Sequence, residues 1–119
     1  MVVSLIHKKK TILENVVVAK SIHKLALGLM FASKRRLKKG ICLYFPEDLR
    51  HGASITMWFC FFKYEILFVN SQFKVVDKVV LRPFKTTYIP KEKCKYVFES
   101  TVGTFKGIEI GNSVILKFT

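Results

Sequence analysis

From Gly40 onward the chain is a succession of short apolar segments, rich in β-branched and aromatic residues and cut apart by turn formers. That pattern restricts it to a β-dominated fold. Gly40 releases Ile41 to Phe45 as a strand, which Pro46 ends. Pro46 to Ser54 reads as a loop, and Ile55 to Phe62 and Tyr64 to Val69 as strands joined or bent near Lys63. Asn70-Ser71 makes the turn into a strand over Phe73 to Leu81, where Val75, Val76, Val79 and Val80 concentrate. Phe84 to Ile89, bracketed by Pro83 and Pro90, reads as an extended loop over the sheet, because proline cannot serve a central strand. Strands over Tyr96 to Ser100 and Ser113 to Phe118 complete the set, with Gly103, Gly107 and Gly111 punctuating the connection.

The first forty residues carry a different mixture. Val2 to His7 and Lys10 to Ala19 predict a hairpin turning at Lys8 and Lys9. After Ser21, a plausible N-cap, the spacing of Ile22, Leu25, Ala26 and Leu29 follows the helical period, giving a helix of about two to three turns. Ser33 caps a second helical turn through Arg35, Arg36 and Leu37, which Gly40 closes in the left-handed conformation. The expected fold class is therefore mainly β (α+β): a small barrel-like, strongly bent antiparallel sheet with one or two short helices near the N-terminal third. Met30, Phe31, Leu43, Phe45, Trp58, Phe68, Val97 and Val114 are the expected core.

A length of 119 residues predicts one domain over 1–119, and 50% hydrophobic residues exclude a disordered chain. The N-terminus has its apolar and basic parts in the reverse order of a signal peptide, so a cytoplasmic location is expected. The most apolar run, Met57 to Phe62, falls far below the roughly 20 residues of a membrane-spanning helix.

Chemistry is sparsely signalled. Cys42, Cys60 and Cys94 lie far apart, without the close pair spacings of metal sites, so neither a metal nor a cofactor is expected. Cys42 and Cys60 have apolar neighbours that suit inert buried thiols, whereas Lys93 and Lys95 flank Cys94 and would lower its pKa. His7, His23 and His51 have no triad context, and the glycines match no phosphate loop, so no catalytic residue is assigned and a non-enzymatic protein is favoured. Glu65 and Glu99 each sit in an apolar strand, where a carboxylate is costly to bury unpaired. Solvent-facing positions, or a local pair with a lysine, are the simpler reading. The alternative is a shallow small-molecule pocket formed by Glu65, Glu99, Trp58 and Met30.

Lys and Arg total 21 against 8 Asp and Glu, for a net charge of +13. Such an excess attracts polyanions or simply solvates the surface. The basic runs are Lys8-Lys9-Lys10, then Lys34, Arg35 and Arg36 with Lys38 and Lys39, then Lys91, Lys93 and Lys95. The second is the expected polyanion contact, because Gly40 and the helix gather its five side chains. Nucleic acid is the first candidate partner, with an acidic protein or an anionic membrane surface as competitors, and Tyr44, Tyr88 or Phe84 could stack bases.

Several blocks also stand in a familiar order. Ala26-Leu27-Gly28-Leu29-Met30-Phe31 precedes Gly40-Ile41-Cys42-Leu43-Tyr44-Phe45, then Met57-Trp58-Phe59 and Glu65-Ile66-Leu67-Phe68-Val69-Asn70. Leu81-Arg82-Pro83-Phe84, Tyr96-Val97-Phe98-Glu99 and Ile110-Gly111-Asn112 follow. The series resembles the domain of unknown function 192 family, small uncharacterised proteins of bacteria and archaea, over about Val16 to Leu116. The resemblance implies a compact, mainly β fold and carries no assigned activity.

Overall fold

Two apolar runs at the N-terminus build a two-stranded hairpin, whose first strand buries Val3, Leu5 and His7 at alternate positions. β1 (Val2–His7) and β2 (Lys10–Ala19) pair antiparallel with Leu5 opposite Leu13 and His7 opposite Lys10. Lys8 and Lys9 make the two-residue loop at φ 48° and 64°, the positive values that let a tight loop match the right-handed twist of its strands. The computed structural model describes residues 1–20, 33–57, 60–84 and 87–119, the side chain of Lys34 excepted. The helix expected from Ser21, with His23, Met30 and Phe31, lies outside the described residues, as does Trp58.

The helical turn after Ser33 is present as α1 (Lys34–Lys39), and β3 (Ile41–Leu49) leaves it to run parallel to β2, Val17 opposite Ile41 and Ala19 opposite Leu43. Parallel neighbours require a crossover, and α1 lies in it. β4 (Tyr64–Val69) and β5 (Val75–Leu81) form a second hairpin at Asn70, whose side-chain oxygen accepts the N–H groups of Gln72 and Lys74, each at 3.0 Å. β6 (Cys94–Ser100) lies between β4 and β3, antiparallel to both. β7 (Ile115–Phe118) pairs with β1, and Val2 and Thr119 exchange backbone hydrogen bonds of 3.2 and 3.0 Å. The sheet order is β5-β4-β6-β3-β2-β1-β7.

Three expectations are corrected. The sheet is open rather than a closed barrel, with β5 and β7 as its edges, and it is mixed rather than wholly antiparallel because β2 and β3 run parallel. The turn-rich segment before β7 bonds its backbone to the start of β5, through Val75 N–H to Asn112 O at 2.9 Å, Gly111 N–H to Val75 O at 2.8 Å and Val114 N–H to Phe73 O at 2.9 Å, and Lys78 further along β5 donates its Nζ to Phe105 O and Ile108 O at 2.9 and 2.8 Å. Ile55 to Phe62 is not a strand among its described residues. Ile55 forms one bridge with Tyr88, and Cys60 N–H turns back to Met57 O, so buried Ile55, Met57 and Cys60 cover the sheet as irregular chain. Pro46 does not end β3, which continues to Leu49. The proline occupies a break in register between Tyr44 and Leu49, where no ladder hydrogen bond is demanded of it.

Both faces of the sheet carry apolar cores. Leu37, Ile41, Leu43, Phe45, Tyr64, Ile66, Phe68 and Val97 pack on one, and Val3, Leu5, Leu13, Leu67, Phe98, Phe105, Ile108 and Val114 on the other. Sequence-expected core residues Leu43, Phe45, Phe68, Val97 and Val114 are all buried. Tyr88, in the segment expected to lie over the sheet, sets its ring 5.8 Å from that of Phe68.

Candidate functional site

Among the described side chains of α1 only Leu37 is buried, so the helix depends on its ends for its position. At the first, the Ser33 hydroxyl accepts the Arg36 N–H at 3.2 Å. At the second, the Gly40 N–H reaches Arg36 O and Leu37 O, at 3.3 and 2.9 Å. Gly40 has the expected positive φ, 81°, but ψ is 174°, so the chain passes into β3 extended rather than through a left-handed helical residue. A Cβ there would lie 3.0 Å from Glu99 O. Ser100, fully buried on β6, shares its hydroxyl proton between Leu37 O at 3.1 Å and Lys38 O at 3.3 Å.

Held this way, Arg35, Arg36, Lys38 and Lys39 are all exposed on a single six-residue helix, with three of the helix's cations in its last turn, where the carbonyl ends favour positive charge. Ser33, Arg35, Arg36 and Lys39 line a cleft of about 210 Å³. Lys34 belongs to the same helix, its side chain being outside the description.

The two candidate carboxylates are not brought together. Glu65 pairs with Ser100 and Ile66 with Glu99 across β4 and β6, so strand alternation sends the two side chains to opposite faces. Neither faces solvent, at 5% and 4% exposed. Glu65 accepts the Phe105 N–H at 2.7 Å and thereby anchors the segment between β6 and β7. Glu99 lies on the α1 side. Burial pushes its carboxyl up to about 7. Burial is what chiefly raises Cys60 and Tyr64, a hydrogen-bonded pair; Glu99 is close enough for its charge to add to both, and Arg36 acts on Tyr64 in the opposite sense. The grouping of Glu99, Tyr64, Cys60 and Arg36 was missed in the sequence, which does not state which residues of β4 and β6 stand opposite each other.

Of the remaining candidates, Cys94 is buried, and desolvation followed by the charges of Asp48 and Asp77 raises it to about 12, the reverse of what its flanking lysines suggest. The three cysteines form no disulfide. His7 is buried, with Nε2 3.1 Å from Asn112 Oδ1, and His51 is exposed in a short 3₁₀ turn. Among the described residues no group of three or more His, Cys, Asp or Glu is placed to hold a metal ion, and no helix is long and apolar enough to cross a membrane. Tyr88 gives its hydroxyl to Asp77 at 2.5 Å, Phe84 packs edge-on against Phe61, and Tyr44 joins an aromatic group flanked by lysines.

The sequence model of the family DUF192, described as Uncharacterized ACR, matches residues 3–116. A UPF0127 protein of Pyrococcus horikoshii is 35% identical over 99 residues, covering 82% of this chain and 83% of that protein. Another, of Pyrococcus abyssi, is 33% identical over 99 residues, covering 82% and 81%. A crystal structure of a protein of unknown function from Novosphingobium aromaticivorans superposes with a TM-score of 0.82 at 19% identity, over 97% of this chain and 84% of that one. A crystal structure of a candidate transcription regulator from Sinorhizobium meliloti gives 0.78 at 22% identity, over 95% and 90%. At these identities the structural likeness speaks for the fold alone.

Proposed function

Because the chain belongs to the DUF192 family, whose description assigns no chemistry, we propose from its own surface that it is a cytoplasmic binding or accessory module whose ligand is a polyanion, nucleic acid first, held on α1. The observation that carries this reading is the exposure of Arg35, Arg36, Lys38 and Lys39 on one short helix fixed at both ends by Ser33, Gly40 and Ser100. Cations on a fixed turn lose less freedom on meeting phosphates than the same residues on a loose loop. The net charge of +13 adds long-range attraction to any polyanion.

Filter or gel binding to nucleic acid at low and near-physiological salt tests the reading, using wild type and a variant with Arg35, Arg36, Lys38 and Lys39 changed to Gln. Binding should weaken steeply with salt. Loss of four phosphate contacts should lower the log–log salt slope by about 3 on a single strand. No binding at low salt, or binding indifferent to the four substitutions, removes α1 as the contact. Salt-insensitive binding to an acidic protein, or binding to anionic vesicles alone, moves the partner to those classes.

A further inference from the structure

One end of the second core opens into a group of four aromatic rings drawn from separate elements. Tyr44 on β3 and Tyr96 on β6 stand opposite each other, with ring centroids 5.2 Å apart, edge to face. Phe118 of β7 lies 5.8 Å from Tyr44 and 6.0 Å from Tyr96. Phe73, in the turn before β5, stacks on Tyr96 at 5.7 Å with only 17° between the planes. Tyr96 is thereby buried, while Phe73 remains 39% exposed as the outermost ring.

The backbone at Phe73 is unusual. It has φ 62°, a conformation that glycine or asparagine adopts readily and a bulky aromatic residue does not. Hydrogen bonds from Phe73 N–H to Asn70 O at 3.0 Å and from Val114 N–H to Phe73 O at 2.9 Å hold it there. Strain of this kind concentrates where a side chain must be presented in a particular direction. Here it lays a ring parallel to Tyr96 with surface turned to solvent.

Two lysines flank the tyrosine rings. Lys20 Nζ lies 4.8 Å from the Tyr44 centroid, and Lys95 Nζ lies 5.5 Å from Tyr44 and 6.0 Å from Tyr96. Lys74, next to Phe73, is exposed. Asp48, whose charge reaches Tyr96, is engaged by Ser71, whose N–H and hydroxyl donate to its two oxygens at 2.9 and 2.5 Å. An exposed ring with lysines around it matches a planar, uncharged base attached to a phosphate.

We propose that Phe73, with Tyr44, Tyr96 and Phe118 beneath and beside it, is a stacking site for the unpaired bases of a single-stranded nucleic acid whose backbone runs over Lys20, Lys74 and Lys95. A duplex keeps its bases stacked internally and offers this surface only phosphates. The site is separate from α1 and does not depend on it.

The test uses a fluorescein-labelled 20-nucleotide oligothymidylate, the same strand annealed to oligoadenylate, and polyphosphate as a polyanion without bases. Wild type should prefer the single strand at matched salt. Phe73→Asn, which suits the positive φ, and Tyr44→Leu, which keeps apolar volume, should each weaken single-strand binding by about 10-fold, within the range for loss of one stacking ring. Neither should change the salt slope or polyphosphate binding. Circular dichroism checks that both variants are folded. The α1 variant should show the opposite pattern, a lower slope with the single-strand preference intact. Equal affinity of wild type for all three probes, or unchanged single-strand binding by both ring variants, overturns the proposal.

Discussion

Glu99 shows at the residue scale how burial turns a side chain into a pH-dependent one. Its folded carboxyl keeps its proton to about pH 7, whereas the unfolded carboxyl releases it near 4.5. Between those values the folded state binds more protons, so this group's contribution to stability falls as pH rises and levels off above 7. Relative to Glu99→Gln, wild type should therefore lose about 3 kcal/mol of unfolding free energy between pH 4.5 and pH 8. Urea titrations of both proteins across that range measure it, and parallel pH profiles would contradict it. The sequence marked Glu99 as costly to bury unpaired but favoured a solvent-facing position. That reading failed because β6 is an interior strand covered on both faces, a fact set by long-range pairing and not by the alternation within Tyr96 to Ser100. Cys94 failed for the same reason, its lysine neighbours in the chain counting for less than the core around it.

At the scale of the element, what could be read depended on how local the determining contacts are. The β1–β2 hairpin and the Ser33-to-Gly40 helix have start and stop signals within a few residues, and both are present. Ile55 to Phe62 shows a strand-like apolar run, yet the Cys60 N–H bonds back to Met57 O, and periodicity does not separate a buried strand from a buried irregular segment. The support that Ser100 gives α1 was likewise invisible, since it joins residues more than sixty positions apart. Replacing Ser100 by Ala should cost about 1 kcal/mol in urea unfolding and speed amide exchange in α1, because two carbonyls lose a shared donor. An unchanged exchange pattern would mean that Leu37 alone fixes the helix.

On the scale of the whole molecule, the mainly β class was legible and the closure of the sheet was not. Counting strands does not reveal whether edges meet, and here a turn-rich segment and a four-residue β7 leave them apart. The charge of +13 acts over the full extent of 34 × 28 × 26 Å. Screening lengths fall from about 30 Å at 0.01 M salt to about 8 Å at 0.15 M, so self-repulsion spans the molecule in the first case and only part of it in the second. The Tm should rise by a few degrees over that interval of sodium chloride, measured without nucleic acid. A flat or falling Tm would show that repulsion has little hold on this fold.

The pairing of β1 with β7 also imposes an order in time. Val3 stands opposite Phe118, so on the ribosome the outer edge of the first strand waits for residues made roughly a hundred positions later, some 5 to 20 seconds at ordinary elongation rates of about 5–20 residues per second. Throughout that interval the nascent hairpin carries a bare row of backbone donors and acceptors, open to any other strand that reaches it before its own.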